Sequence, residues 1–495
     1  MIRYALVSLL VAATAAAQPA PHKRPANWIG DRRIAVVTPT SGFTAATGAV
    51  TGVIYVNRCS GGCQVTQSDH SDAKLHLSPD VQSGTSTLTE FQNDAHETGA
   101  LADAEWAQVV KCMQEVYSPF AVTVTDQRPT SGQWTEIMIA GQPQDLGFPN
   151  TVLGIAPVHV DCNAYDNALS FAFANADVPT QHVYNVCWTA AQETAHNFGL
   201  DHEYQYATGE SACNDPMTYR YDCGGEKFFR NEGAFCGENA VRACICPNQT
   251  QNSHQKILSV FGPGTPITAP PAVAIVAPAA GDTVVNGAPI GATASAQRGV
   301  ARLELYVNGH KWAETVGAKF GVSGQPETTY AINLPANVPD GVMDLVVKAY
   351  DDIEVETDSA TVTVTKGVAC ANASSCATGQ KCEAGKCFWD APVGVLGDNC
   401  TFNEYCVSGV CTDSDIGQYC SQACVVNSAD GCPLNFDCVA TSDAQGQCLP
   451  HDTGGGCCSV DRHESNRSIW AHLGLGVLAM SFIFRRRRSR YADRT

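Results

Sequence analysis

Apolar residues recur at helical spacing over residues 104–117, with Trp106, Val109, Val110 and Met113 on one side. That period predicts an amphipathic helix. Around it lie short runs rich in β-formers, at residues 49–56, 121–125, 136–140, 152–158 and 169–173, each of which predicts a strand. Residues 186–200 then read as one helix stopped near Gly199. Strands followed by a long helix predict a mixed α/β domain over residues 27–261.

Residues 262–271 hold four prolines and two glycines, the composition of a linker. Beyond them, residues 272–366 are dense in short strand-like runs, at 273–276, 284–285, 303–307, 330–334, 342–349 and 360–364. Asn308-Gly309 directly after one such run is a strong hairpin signal. About ninety-five residues of this kind predict an all-β sandwich. It lacks an intersheet cysteine pair, so it resembles a bacterial Ig-like module, a likeness that implies a spacer or a weak binder.

The chain has 495 residues, which suggests about three modules plus tails. Its formal net charge of −19 argues against nucleic acid as a partner, since phosphate binding needs a basic surface. Met1-Ile2-Arg3, an apolar stretch to Ala13 and then Ala15-Ala16-Ala17 read as a secretory signal peptide over residues 1–17. Export makes disulfides the expected fate of the 24 cysteines. Ten lie between Cys59 and Cys246, twelve between Cys370 and Cys448, and two form the pair Cys457-Cys458. Each block is even and can close its own bridges.

The second block repeats. Cys376, Cys382 and Cys387 recur in spacing as Cys400, Cys406 and Cys411, and more loosely as Cys432, Cys438 and Cys448. Modules this small cannot bury a large core, so bridges must hold them. Residues 370–448 therefore predict a disulfide stalk rather than zinc knuckles. In the tail, residues 454–490, a Gly-Gly-Gly-Cys-Cys motif precedes sixteen mostly apolar residues (469–484) and then Arg485 to Arg488 and Arg490. The apolar run is short for a span, which takes about twenty residues, and the basic cluster would keep the C-terminus in the cytoplasm. This tail resembles the C-terminal sorting tag of myxobacterial surface proteins. The likeness implies cleavage near Cys457 or Cys458 and display at the cell surface or outer membrane; an ordinary single-pass anchor is the alternative.

The chemistry gathers at residues 192–202, Gln-Glu-Thr-Ala-His-Asn-Phe-Gly-Leu-Asp-His. Positions 192 and 196 lie about one helical turn apart on one side, a spacing that lets two side chains grip one metal. Glu193 stands beside them, able to take a proton from a water. Gly199 lets the chain leave the helix in a left-handed conformation and bring His202 back. Glu193, His196, Gly199 and His202 match H-E-x-x-H-x-x-G-x-x-H, so the segment resembles the metzincin zinc-peptidase signature, with Gln192 in place of the first histidine. Asp215-Pro216-Met217-Thr218-Tyr219 resembles the Met-turn of that clan. The resemblance implies Zn2+ held by His196, His202 and Gln192, Glu193 as general base, Met217 as an apolar floor and Tyr219 at the transition state. An amide oxygen is a weaker zinc ligand than imidazole: Gln192 either holds the metal less tightly or marks a site that has lost it. His159 and His182 are potential substitute ligands, and Cys213 with Cys223 a potential staple of the turn.

The expected protein is multidomain: an α/β (α+β) metzincin-like domain, an Ig-like sandwich, a disulfide-rich module and a short transmembrane helix. The expected function is that of an exported zinc endopeptidase acting on extracellular protein or peptide. The alternative is an inactive metzincin-like binding protein or adhesin.

Overall fold

A computed structural model describes residues 31–37 (as backbone), 50–159, 161–164, 166–176, 181–204, 214–219, 226–238, 240–246, 248, 250–318, 328–414, 417–426, 431–442 and 445–451. The expected signal peptide, the tail from 454 to 490, and Cys213 and Cys223 lie outside the described residues.

The first domain is built on strands β1 (Asp31–Val37), β2 (Val53–Asn57), β3 (Cys63–Gln67), β4 (Leu77–Ser78) and β5 (Thr85–Leu88), then helix α1 (Asp103–Tyr117). There follow β6 (Thr123–Thr125), β7 (Thr135–Ile139), β8 (Val152–His159), β9 (Leu169–Ala172) and α2 (His182–His196). Short strands β10 (Glu203–Tyr204), β11 (Ala234–Cys236) and β12 (Thr250–Gln251) and helix α3 (Ser253–Phe261) complete it. Six strands make one sheet in the order β1-β8-β9-β7-β2-β6. The β2–β6, β2–β7 and β7–β9 pairs are parallel, β8 runs antiparallel to β9, and β1 runs parallel to β8.

Strand alternation sorts the side chains to two faces. Ile54, Val56, Ile137 and Ile139 pack with the apolar sides of α1 and α2. Met138, Ile155, Leu169 and Phe171 point the other way, onto Val65 and Leu88 of the small β3–β5 sheet. A bridge from Cys112 to Cys187 ties the two helices together. Residues 262–271 do not hang free: the Gly264 N–H donates to the Pro119 carbonyl at 2.8 Å, and a Cβ at 264 would lie 2.1 Å from the Phe120 oxygen.

The second domain comprises β13 (Ala272–Ala277), β14 (Thr283–Val284), β15 (Pro289–Ser295), β16 (Arg302–Val307), β17 (His310–Val316), β18 (Thr328–Asn333), β19 (Gly341–Tyr350), β20 (Glu356–Asp358) and β21 (Val362–Lys366). One sheet is β13-β15-β18 and the other β14-β21-β19-β16-β17, with β20 on β19. Along β19, Met343, Leu345, Val347 and Ala349 are buried on alternate positions, as one core-facing side requires. Asn308 and Gly309 take φ values of +50° and +87°, the left-handed pair that a tight hairpin between β16 and β17 needs.

The cysteines of the C-terminal region form three four-cysteine modules, each pairing first with third and second with fourth. The modules begin at Cys370, Cys400 and Cys424. The repeat expected from spacing aligned Cys376 with Cys400, one cysteine out of step. All twelve thiols are in bridges, which leaves none for zinc. The chain divides into two compact units at Trp389 and Asp390. The first module therefore goes with the sandwich, where the Asn308 amide donates to the Cys387 carbonyl at 2.8 Å and Trp389 packs on Trp312. Among the described residues no helix is long and apolar enough to cross a membrane, so the expected transmembrane helix has no support there; residues 469–484 lie outside them.

Candidate functional site

Helix α2 runs from His182 to His196, starting before the expected residue 186 and ending before the expected 200. At its end Gly199 takes φ +83°, and a Cβ there would meet the Cys162 carbonyl at 2.2 Å. Only glycine fits that exit. The Cys162–Cys246 bridge fixes the loop pressed against it.

This turn brings His202 back to His196, with their Nε2 atoms 3.2 Å apart. His196 Nδ1 donates to the Leu200 carbonyl at 2.7 Å, and His202 Nδ1 donates to Glu238 Oε1 at 2.9 Å. Both partners are pure acceptors, so each Nδ1 carries the proton and each Nε2 presents a lone pair. In that state two lone pairs face each other in a buried site, an arrangement that a cation or a proton between them would relieve. Burial first, and His202 second, push the His196 imidazole down to about 3; burial also lowers His202.

Glu238 was not read from the sequence, although it orients His202. Arg242 bridges it to Asp201, donating to Glu238 at 2.6 Å and to both Asp201 oxygens at 2.6 Å. Burial opposes ionisation of Glu238, but hydrogen bonds from His202 and Arg242 outweigh it and hold the carboxyl well below its usual range. A carboxylate behind a histidine fixes its tautomer and makes it a better ligand.

Gln192 and Glu193 are both fully buried on α2. Neither Nε2 nor Oε1 of Gln192 has a hydrogen-bond partner among the described residues, and an orphaned buried amide is expensive unless something takes it up. The Glu193 carboxylate lies against Gly154 of β8, where an added Cβ would stand 2.5 Å from Glu193 Oε1. The Tyr219 ring sits 4.6 Å from that of His202, centroid to centroid. Met217 is fully buried in the core that holds Ala195 and Leu200. The donor set of two imidazole lone pairs and an amide oxygen fits a small divalent cation.

His182 is used up elsewhere: its Nδ1 pairs with Glu105 and its Nε2 with the Ala174 carbonyl. His159 pairs through Nδ1 with Asp161. Along the sheet edge beside Glu193, β1 pairs with β8 and sets Arg32 opposite Gly154.

Residues 271–365 match the family described as bacterial Ig domain. The protein is thus a multidomain, strand-rich chain with a bacterial Ig-like domain and a disulfide-rich C-terminal region. No curated protein matches it. It is similar to the fibronectin(III)-like modules of CbhA from Clostridium thermocellum, at 18% identity over 19% of this chain and 94% of that one, TM-score 0.15. A second likeness is to the SrpA adhesin of Streptococcus sanguinis, at 17% identity over 20% of this chain and 58% of that one, TM-score 0.15. OgpA from Akkermansia muciniphila is similar at 11% identity over 70% of this chain and 97% of that one, TM-score 0.15. At those scores none of the three bears on the site.

Proposed function

We propose that the chain is an exported zinc-dependent metalloendopeptidase of metzincin type that acts on extracellular protein or peptide. The observation that carries this reading is the facing Nε2 pair of His196 and His202, with Gln192 on the same helix without a hydrogen-bond partner among the described residues. Those three residues would hold the ion, which when bound supplies Lewis acidity to a peptide carbonyl and to water. Glu193 takes the proton of the attacking water and passes it on to the leaving amine. The Tyr219 hydroxyl donates to the oxyanion that develops on the carbonyl. The export signal and surface-sorting tail expected from the sequence support a cell-surface location for this activity, and the net charge of −19 speaks against a nucleic-acid partner.

Gln192 favours a second reading, a catalytically inactive metzincin-like binder or adhesin. The β1 strand favours it too, because it lies along the β8 edge that an extended peptide would otherwise join.

The two separate on cleavage. The full chain is loaded with zinc and incubated with unfolded protein, and new termini are read by mass spectrometry beside a Glu193→Gln variant. Cleavage that disappears in the variant and with a chelator supports the peptidase. Absence of Glu193-dependent cleavage leaves the binder.

A further inference from the structure

A chain of hydrogen bonds links the segment bearing Met217 and Tyr219 to the Ig-like domain. Asp215, fully buried, accepts the Met217 N–H through Oδ1 at 2.8 Å. Its Oδ2 accepts the backbone N–H of Arg230 at 2.7 Å and the Ser253 hydroxyl. The Arg230 side chain then donates from Nε to the Asn214 carbonyl at 3.3 Å and from Nη1 to the carbonyl of Arg298. Arg298 lies between β15 and β16 of the sandwich. It answers by donating from Nη2 to the Phe229 carbonyl at 3.0 Å, and its guanidinium stands 4.9 Å from the centre of the Phe228 ring. Asp352, also in the sandwich, pairs with Arg298 Nε at 2.8 Å and lies 3.5 Å from Arg230 Nη1.

Arg230 and Arg298 are 2% and 1% exposed. Two buried guanidiniums are tolerable only where fixed acceptors surround them. Here the acceptors come from both domains, so each arginine exchanges part of its protein acceptors for water if the domains part. Neighbouring domains ordinarily move relative to each other; the contacts shared by Arg230, Arg298 and Asp352 oppose such motion here.

We infer that the Ig-like domain is a structural part of the candidate site, and that Arg298 and Asp352 are positioning residues acting on Met217 and Tyr219 through Arg230 and Asp215. The importance of those two residues rests on the proposed peptidase reading; the coupling does not. A sandwich serving only as a spacer would need no buried arginine reaching into its neighbour.

Hydrogen exchange of the full chain, read by mass spectrometry over residues 214–219 in metal-free and zinc-loaded protein, tests it. Arg298→Ala is expected to speed exchange there by at least about tenfold in both states. Gln297→Ala removes side-chain contacts to Glu115, Glu226 and the Ala269 N–H at the same boundary but none to Arg230, Arg298 or Asp352, and is expected to change exchange at 214–219 far less than Arg298→Ala does. Should Arg298→Ala fail to fold, native-state exchange of the wild type replaces it. Residues 214–219 and the β19 core then open together at one denaturant concentration. Unchanged exchange at 214–219 in Arg298→Ala, or opening independent of β19, overturns the inference. A chain that binds no zinc but shows the coupling refutes only the peptidase reading.

Discussion

His196 and His202 turn their Nε2 atoms to within 3.2 Å of each other while each gives its Nδ1 proton to an acceptor. Neither ring can rotate away without leaving a buried donor unpaired. On the proposed reading the cation would sit between these two Nε2 atoms, and the Glu238 carboxylate behind His202 would help hold that ring in place.

Replacing that carboxylate should show directly. Glu238→Ala is expected to weaken zinc binding about 10–100-fold, measured by competition with a chromogenic chelator. An unchanged affinity would mean that Glu238 does not orient His202.

Gln192→His restores the stronger ligand. Zinc affinity and peptide cleavage should both rise, by about tenfold or more if the native amide is a weak ligand. No change in either would show that glutamine already serves or that another residue substitutes.

Gly199→Ala tests the exit from α2. At φ +83°, with the Cys162 oxygen 2.2 Å from the new Cβ, it should cost about 2 kcal/mol or more of stability. Thermal unfolding should begin at lower temperature, and zinc affinity should fall with it. An unaltered Tm would contradict the tight packing at Cys162.

Asp80 gives a pH signature away from the site. Burial raises its carboxyl from the ordinary 3.8 to about 7, against a weaker opposing hydrogen bond from Ser78. Between those values the folded state holds the proton that the unfolded chain has released, so stability falls as pH rises through that window. The full effect is on the order of 4 kcal/mol. Asp80→Asn should raise the Tm at pH 8, with the gain fading towards pH 4, by calorimetry across pH. A gain that is equal at both ends would contradict it.

Much of the fold was legible because its signal is local. The α1 period, the Asn308-Gly309 hairpin and the alternation in β19 are each written in a few adjacent residues. β15 was hidden because Pro289, Gly291 and its alanines carry little apolar contrast, although Ile290, Ala292 and Ala294 are buried. β1 escaped because its partner β8 lies more than a hundred residues on, as the Asp31–Val152 pairing shows. The structure brings the rings of His196, His202 and Tyr219 together. Glu238 was invisible because it reaches His202 across 36 positions. Arg298 was invisible for the same reason, sitting 68 positions from Arg230 in what read as a separate module.

The most direct measurement is the zinc content of the purified full chain, by elemental mass spectrometry after dialysis against metal-free buffer. About one zinc per chain, lost in both His196→Ala and His202→Ala, is the expected result. Zinc far below one equivalent in the wild type, or an equivalent that survives both substitutions, would contradict a metal site at this histidine pair.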